Sequence, residues 1–371
     1  MGKFDTDVFV AGGGPAGLST AIAARLAGFD VLLADRARPP IDKSCGEGIL
    51  PHGLAILEQL GVRLPPDRVR SFRGIRFADA GGQAEAIFPG NRFGTAVRRT
   101  VLHEALVRRA EEVGVELQWG ARVERLTAHG VLVEGTRIHA RWRICADGQN
   151  SRLRAQTNLE PPRTPVVRRG QTRHFQVAPW SDLVEVYWSE HGQLYVTPVS
   201  ETEVCLAHIT RNIVARFEDA LRGFPDVARR VAGAQESSPL LGTATLTRRI
   251  WNVARKNVAL VGEAAGSVDA VTGAGLTIAL QDALALAQAL RAGHLSAYAT
   301  AHRKIMRLPY LMSRMLLCMD RFPMLRRRAV RAFAGEPRLF SGLLAMHAEP
   351  APRVTRSARE MLSLGWHLLT A

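Results

Sequence analysis

The chain has 371 residues, 47% hydrophobic and 22% charged, enough to bury a large core and ordinary for a globular protein. Its formal charge of +15 comes without a recognition motif for nucleic acid, so nucleic acid is not an expected partner. No long apolar run argues for a spanning helix, and Cys45, Cys145, Cys205 and Cys318, widely spaced and without a CxxC, argue against a disulfide framework or a structural metal.

In chain order, Asp7 to Ala11 reads as a short buried parallel strand. It begins within a few residues of the N-terminus, so no signal peptide is expected, and free thiols fit a reducing cytoplasm. Gly12, Gly14 and Gly17 follow in G-x-G-x-x-G spacing. Gly12 permits a tight turn, Gly14 lets a diphosphate approach the backbone, and Gly17 lets a helix pack close to the sheet. Pro15 and Ala16 open that helix, which runs to about Ala27 with Gly28 as its cap, and its N-terminus suits a diphosphate. Val31 to Ala34 is the second buried strand. Asp35 stands at its end, next to Arg36, placed to accept ribose hydroxyls. This predicts dinucleotide binding and does not by itself choose between NAD and FAD.

Next comes an amphipathic helix in the second half of Asp42 to Val62, ended by Gly61. Arg70 to Phe77 and Ala84 to Phe88 read as a hairpin outside the nucleotide core. A helix runs from Arg99 to about Val113, short strands follow, and a buried strand from Arg143 to Ala146 ends in Asp147-Gly148. Residues 165 to 250 carry strand-like segments with frequent turns, which predicts an antiparallel sheet suited to walling a cavity. Its aromatic-ring residues His174, Trp180, Tyr187, Trp188 and Tyr195 line that cavity or pack in a core. Asn257 to Val261 is again a buried strand, followed by Gly262-Glu263 and by Gly273, Ala274, Gly275 and Leu276 at the head of a long helix. Amides at such a helix start stabilise negative charge. After Tyr298 the chain is helical and rich in arginine. Met306 to Arg331 is basic and amphipathic, which leaves peripheral contact with the inner face of a membrane and packing over the nucleotide domain both open.

The glycine loop, Arg99 heading a helix, Asp147-Gly148 and Val261-Gly262-Glu263 occur in a fixed order. In these the chain resembles the p-hydroxybenzoate hydroxylase-type flavoproteins, which include aromatic monooxygenases and geranylgeranyl reductases. The resemblance spans roughly residues 1 to 300. It implies an α/β fold in which a Rossmann-like FAD-binding domain (1–70, 95–165 and 250–298) is interrupted by an antiparallel-sheet substrate domain (71–94 and 166–249), with a helical C-terminal region (299–371). It implies FAD as cofactor and NAD(P)H as electron donor. By the same resemblance Arg99 and Leu102 match an Arg-x-x-Leu that contacts FAD. Asp147-Gly148, with Ser151 and Arg154, matches the Asp-Gly motif, and Gly262-Glu263 stands where the family carries Gly-Asp on the ribityl chain. Cys45 lies in a Cys-Gly segment like that of the geranylgeranyl reductases, with Glu47 two residues on, and both are candidate proton donors.

The first functional expectation is an NAD(P)H-dependent monooxygenase acting on a small, apolar aromatic or quinone-like substrate. The second is a reductase of prenyl or other alkene groups, and the third a non-catalytic flavin-binding protein. The Cys-Gly segment favours reduction. The Tyr195-to-Pro198 strand and the Gln281-Asp282-Ala283 stretch favour oxygenation.

Overall fold

A computed structural model describes residues 4–159 and 167–348. Residues 160–166 and 349–371, which include the end of the expected C-terminal region, lie outside the described residues. The fold is mixed α/β: a largely parallel sheet, a second and mainly antiparallel sheet, and C-terminal helices.

The first sheet runs in the order Ala254–Arg255, Val258–Leu260, Thr136–Cys145, Thr6–Ala11, Val31–Asp35, Glu116–Trp119. Val10 pairs with both Ile144 and Leu33 in parallel register. Val8, Phe9 and Val10 are fully buried because helices cover this sheet, which is why the strand reads as an unbroken apolar run. Helices Pro15–Leu26, Arg99–Glu112 and Gly275–Arg291 share its core.

The strand expected over Arg143 to Ala146 is ten residues long, Thr136–Cys145. Its outer half is antiparallel to Gly130–Val133, while its inner half is parallel to Thr6–Ala11 and Val258–Leu260. The outer half is mostly exposed and polar, so its sequence carries no apolar run.

The second sheet is built on Arg168–Gln176, Val204–Thr210, Gly192–Pro198, Leu183–Ser189, Gly74–Asp79 and Gly82–Ile87. Its strands are antiparallel except where Leu183–Ser189 meets Gly74–Asp79 in parallel. The single strand expected over Arg70 to Phe77 is two. Val69–Phe72 joins Gly94–Val97 and Gly48–Ile49 in a small third sheet, and Gly74–Asp79 joins the second. The switch falls at Arg73–Gly74. There the backbones pack so closely that a Cβ on Gly74 would collide with Ala86 O.

Helices Ser296–Arg321, Pro323–Gly335 and Pro337–Ala348 follow. Phe333 stacks on Phe340 at 4.7 Å between ring centroids, and Phe340 lies 4.8 Å from Phe77 of the second sheet. These helices therefore cover the second sheet as well as meeting the nucleotide domain, so the packing expected over that domain extends to the second sheet. A buried network ties the parts together. Arg168 of the second sheet donates to Asp269 at 2.7 Å and lies 3.6 Å from Asp320 of the first C-terminal helix. Among the described residues no helix is long and apolar enough to cross a membrane.

Candidate functional site

The glycine loop leaves a space shaped by backbone. Gly12 adopts φ +114°, and a Cβ there would meet Ala146 O. A Cβ on Gly17 would meet Gly12 O, so helix and strand touch backbone to backbone. Gly14 differs: it is extended, it caps helix Pro15–Leu26, and nothing lies within 4 Å of its ideal Cβ. Leu18 N–H donates to Gly14 O, so Ala16 and Gly17 precede the helical ladder and their amides have no acceptor within it. Open space at a helix N-terminus is where a diphosphate is favoured.

Asp35 closes one side of the loop. Its Oδ2 accepts from Gly13 N–H at 2.6 Å and its Oδ1 from Ala37 N–H at 2.8 Å. Each oxygen keeps a lone pair for a hydroxyl. Arg36 is exposed. Two further residues hold the loop and were not singled out in the sequence: the His103 ring nitrogen Nε2 contacts Gly13 O at 2.8 Å, and the Trp119 ring fills the space over Gly13. His103 lies four residues after Arg99 on the same helix, one turn on, a spacing that would have marked it. Burial lowers the His103 pKa and keeps the ring neutral.

Asp147 braces the start of a short helix, Arg152–Ala155, whose cap is Ser151. Its carboxylate accepts from Ser151 Oγ at 2.6 Å and from Arg152 N–H at 3.0 Å. Arg154, buried, donates to Gln149 O and to Ala264 O, which pins the Asp147-Gly148 turn to the Gly262 loop. An ideal Cβ on Gly262 would stand 2.6 Å from Ala16 Cβ, so this loop also touches the start of the first helix. Glu263 is exposed. Asp282, fully buried, accepts from Gly262 N–H at 3.3 Å and meets His302 Nδ1 at 2.8 Å. Helix Gly275–Arg291 starts after Ala274, with Leu276 half-buried in its first turn and open space around Gly273 and Gly275. Arg99 Nε is buried without an acceptor among the described residues. Open space at two adjoining helix starts, an orphaned guanidinium nitrogen and Asp35 at a strand end together fit an extended anionic dinucleotide.

The candidate proton donors sit at the seam of the two sheets. Glu47, itself at φ +59°, accepts from Arg99 N–H at 2.8 Å through Oε1. Its Oε2 meets His174 Nε2 at 2.6 Å, and His174 Nδ1 meets Ser238 Oγ at 2.8 Å. Glu47 and His174 are both buried. Glu47 N–H donates to Cys45 Sγ at 3.4 Å. Burial raises the Cys45 pKa, opposed by the charge of Arg99 and reinforced by that of Glu47, so the sulfur stays a thiol at neutral pH. Cys205 stands opposite His174 in the sheet, and its Sγ lies within 4.8 Å of the Glu47 and His174 ligand atoms. Its thiol donates to Cys45 O at 3.7 Å.

The remaining aromatics do not converge on one cavity. Trp188 packs with Phe77 under the C-terminal helices, whereas Trp180 and Tyr187 lie in a separate cluster and both donate to Glu185 Oε2. Strand alternation puts Tyr187 and Trp188 on opposite faces. Tyr195 donates to Val271 O at 2.7 Å. A cleft of about 510 Å³ beside Arg255, Lys256 and Arg303 is lined by none of the expected site residues.

A family described as FAD binding domain matches residues 5–301. The chain is similar to the menaquinone reductase of Mycobacterium tuberculosis, 31% identical over 302 residues and 74% of each chain. It is 29% identical over 299 residues, again 74% of each chain, to digeranylgeranylglycerophospholipid reductase 2 of Methanopyrus kandleri. A putative FAD-dependent monooxygenase of Bacillus subtilis is 26% identical over 318 residues, covering 76% of this chain and 84% of that one. Among solved structures, a flavoprotein/dehydrogenase from Cytophaga hutchinsonii superposes with a TM-score of 0.78 at 18% identity, over 91% of this chain and 92% of that one.

Proposed function

The chain belongs to the FAD binding domain family, and on that premise we propose that this FAD-dependent oxidoreductase is a reductase that saturates a carbon–carbon double bond in a prenyl-bearing substrate. One observation carries the reading: the buried Glu47–His174 pair, with half-buried Ser238 behind it and the Cys45 thiol on the Glu47 backbone N–H. Saturating an alkene puts hydride on one carbon and a proton on the other, so it needs an acid shielded from bulk water. Oxygen transfer to an electron-rich ring needs no such thiol.

In this reading the Gly12–Gly17 loop holds the diphosphate of FAD, Asp35 the adenosine ribose, Glu263 the ribityl chain, and the amides of Gly275 and Leu276 the flavin edge. FAD, when bound, supplies the two-electron chemistry. Cys45 gives its proton to the substrate carbon. Glu47, whose backbone N–H meets the Cys45 sulfur and whose carboxylate pairs with His174, is the proposed source of the sulfur's reprotonation, and Ser238 fixes the imidazole. Arg99 steadies the transient thiolate through its charge. A reduced nicotinamide is the proposed electron donor.

A second reading, monooxygenation, is supported by similarity to the putative monooxygenase and by Asp282. That residue is part of the hydroxylase-like Gln281-Asp282-Ala283 stretch and holds the Gly262 turn. Anaerobic turnover separates the two. With dithionite-reduced protein and a prenylated quinone, the expected product, after its ring is reoxidised to the quinone, is two hydrogens heavier in the prenyl chain, and Cys45→Ser slows its formation by about 10²-fold or more, the scale of a lost general acid. A product that carries one oxygen atom, formed only with oxygen and at the same rate in Cys45→Ser, overturns the reductase.

A further inference from the structure

The geometry points to a docking surface for an anionic lipid bilayer at the corner where helix Ser296–Arg321 turns into helix Pro323–Gly335. This assignment concerns binding alone and does not depend on which reaction the protein performs.

The helix Ser296–Arg321 has two faces. Met312, Leu316 and Met319 are buried in the core under the second sheet. Another stripe, at three- and four-residue steps, carries Lys304, Arg307, Leu311 and Arg314, all exposed, and Phe322 follows just past the helix end. Phe322 and Met324, at the turn itself, are 55% and 73% exposed.

Two other segments bring apolar side chains to the same helix. The loop after strand Val204–Thr210 is fastened to it: Arg211 donates to Asp320 Oδ2 at 2.7 Å and to Leu317 O at 3.4 Å. Two and three residues on, Ile213 and Val214 are 60% and 77% exposed. Nearer the start of the helix, Arg249 lies 3.8 Å over the Trp251 ring and 5.5 Å from that of Tyr310, which ties exposed Trp251 to the helix at Tyr310. Exposed large apolar side chains on the helix and its turn, and on two segments fastened to it by Arg211 and Arg249, make a surface that water does not favour.

Charge selects the occupant. Asp320 is the one acid between Arg303 and Gly335, and its side chain is buried and paired with Arg168 and Arg211. Arg321, Arg327, Arg328 and Arg331 are exposed around the turn. A second copy of this surface would set these arginines against one another. An anionic bilayer takes the apolar side chains into its interface and pairs the guanidinium groups with headgroup phosphates. Tryptophan beside the apolar stripe suits that boundary.

The test is flotation of the full-length holoprotein with vesicles of phosphatidylglycerol and phosphatidylcholine, or of phosphatidylcholine alone. Expected is binding to the anionic vesicles that weakens with salt and is slight on the neutral ones. Phe322→Ser with Met324→Ser, and separately Arg314→Glu with Arg321→Glu, should each weaken it about tenfold or more, with flavin content and circular dichroism unchanged. No flotation at low salt overturns the proposal. Flotation that both double variants leave intact overturns it too, as does a dimer in solution that Phe322→Ser with Met324→Ser dissociates while vesicles are ignored.

Discussion

At Gly14 a side chain has room in the protein but not beside a ligand. Its backbone is extended and nothing lies within 4 Å of an ideal Cβ. Gly14→Val should therefore fold with near wild-type stability and lose FAD, read as flavin absorbance after desalting. Gly17→Val should instead fail to fold well, since its Cβ collides with Gly12 O. A Gly14→Val protein that keeps full flavin would refute the placement of the diphosphate. Glu263 gives a second residue-scale prediction. It is exposed in the protein alone, while Asp282 behind it already holds Gly262 N–H. Glu263→Ala should leave the melting temperature of the flavin-free protein unchanged and weaken FAD binding by about 1–3 kcal/mol, the scale of a stranded polar partner. Titration calorimetry measures it, and equal affinity removes Glu263 from the site. Glycines and terminal acids such as Asp35 were legible in the sequence because their roles are local, set by backbone geometry within one βαβ unit. His174 was legible only as a ring somewhere on a cavity wall. Its partner Glu47 lies 127 positions away, and the pairing depends on how two sheets meet.

Elements whose burial is uniform announced themselves: Thr6–Ala11, Val31–Asp35 and helix Gly275–Arg291 stand within a residue or two of where apolar patterning put them. Elements that serve two partners did not. Thr136–Cys145 is polar where it leaves the core, and Val69–Phe72 and Gly74–Asp79 look continuous although they belong to different sheets. Helix Arg99–Glu112 stands where it was expected, and in addition carries a polar anchor on a buried face. His103 is fully buried and held neutral by desolvation, and His208 in the second sheet likewise. For both, the folded pKa lies below the unfolded value of about 6.5, so the unfolded chain binds protons first as pH falls. Their contribution to stability is complete above that value and is lost as pH drops through it. Melting of the flavin-free protein should be flat from pH 8 to 7 and fall toward pH 5, with a shallower fall in His103→Gln. An identical acid slope in the variant would show that His103 is not a source of it.

Across the whole molecule, buried polar links add to the apolar packing that ties the second sheet to the loops and helices around it. Arg168 reaches Asp269 and Asp320, Glu47 reaches His174, and Thr197 donates to Gly46 O. These links are long in sequence, so no local pattern foretold them, and they bring the loops around the candidate site together. The interleaving of the first sheet has a further consequence in time. Thr6–Ala11 finds Val31–Asp35 on one side early, but its other neighbour is Thr136–Cys145, and that strand in turn lies against Val258–Leu260. A ribosome adding ~5–20 residues per second finishes the Gly12 loop roughly ten seconds or more before it reaches Gly262. Through that interval the emerging polypeptide carries half a cradle, with the second sheet already able to pair its own strands. Cofactor capture thus belongs to the end of synthesis, and a prematurely terminated chain would leave the ribosome as an apoprotein with an unfinished sheet.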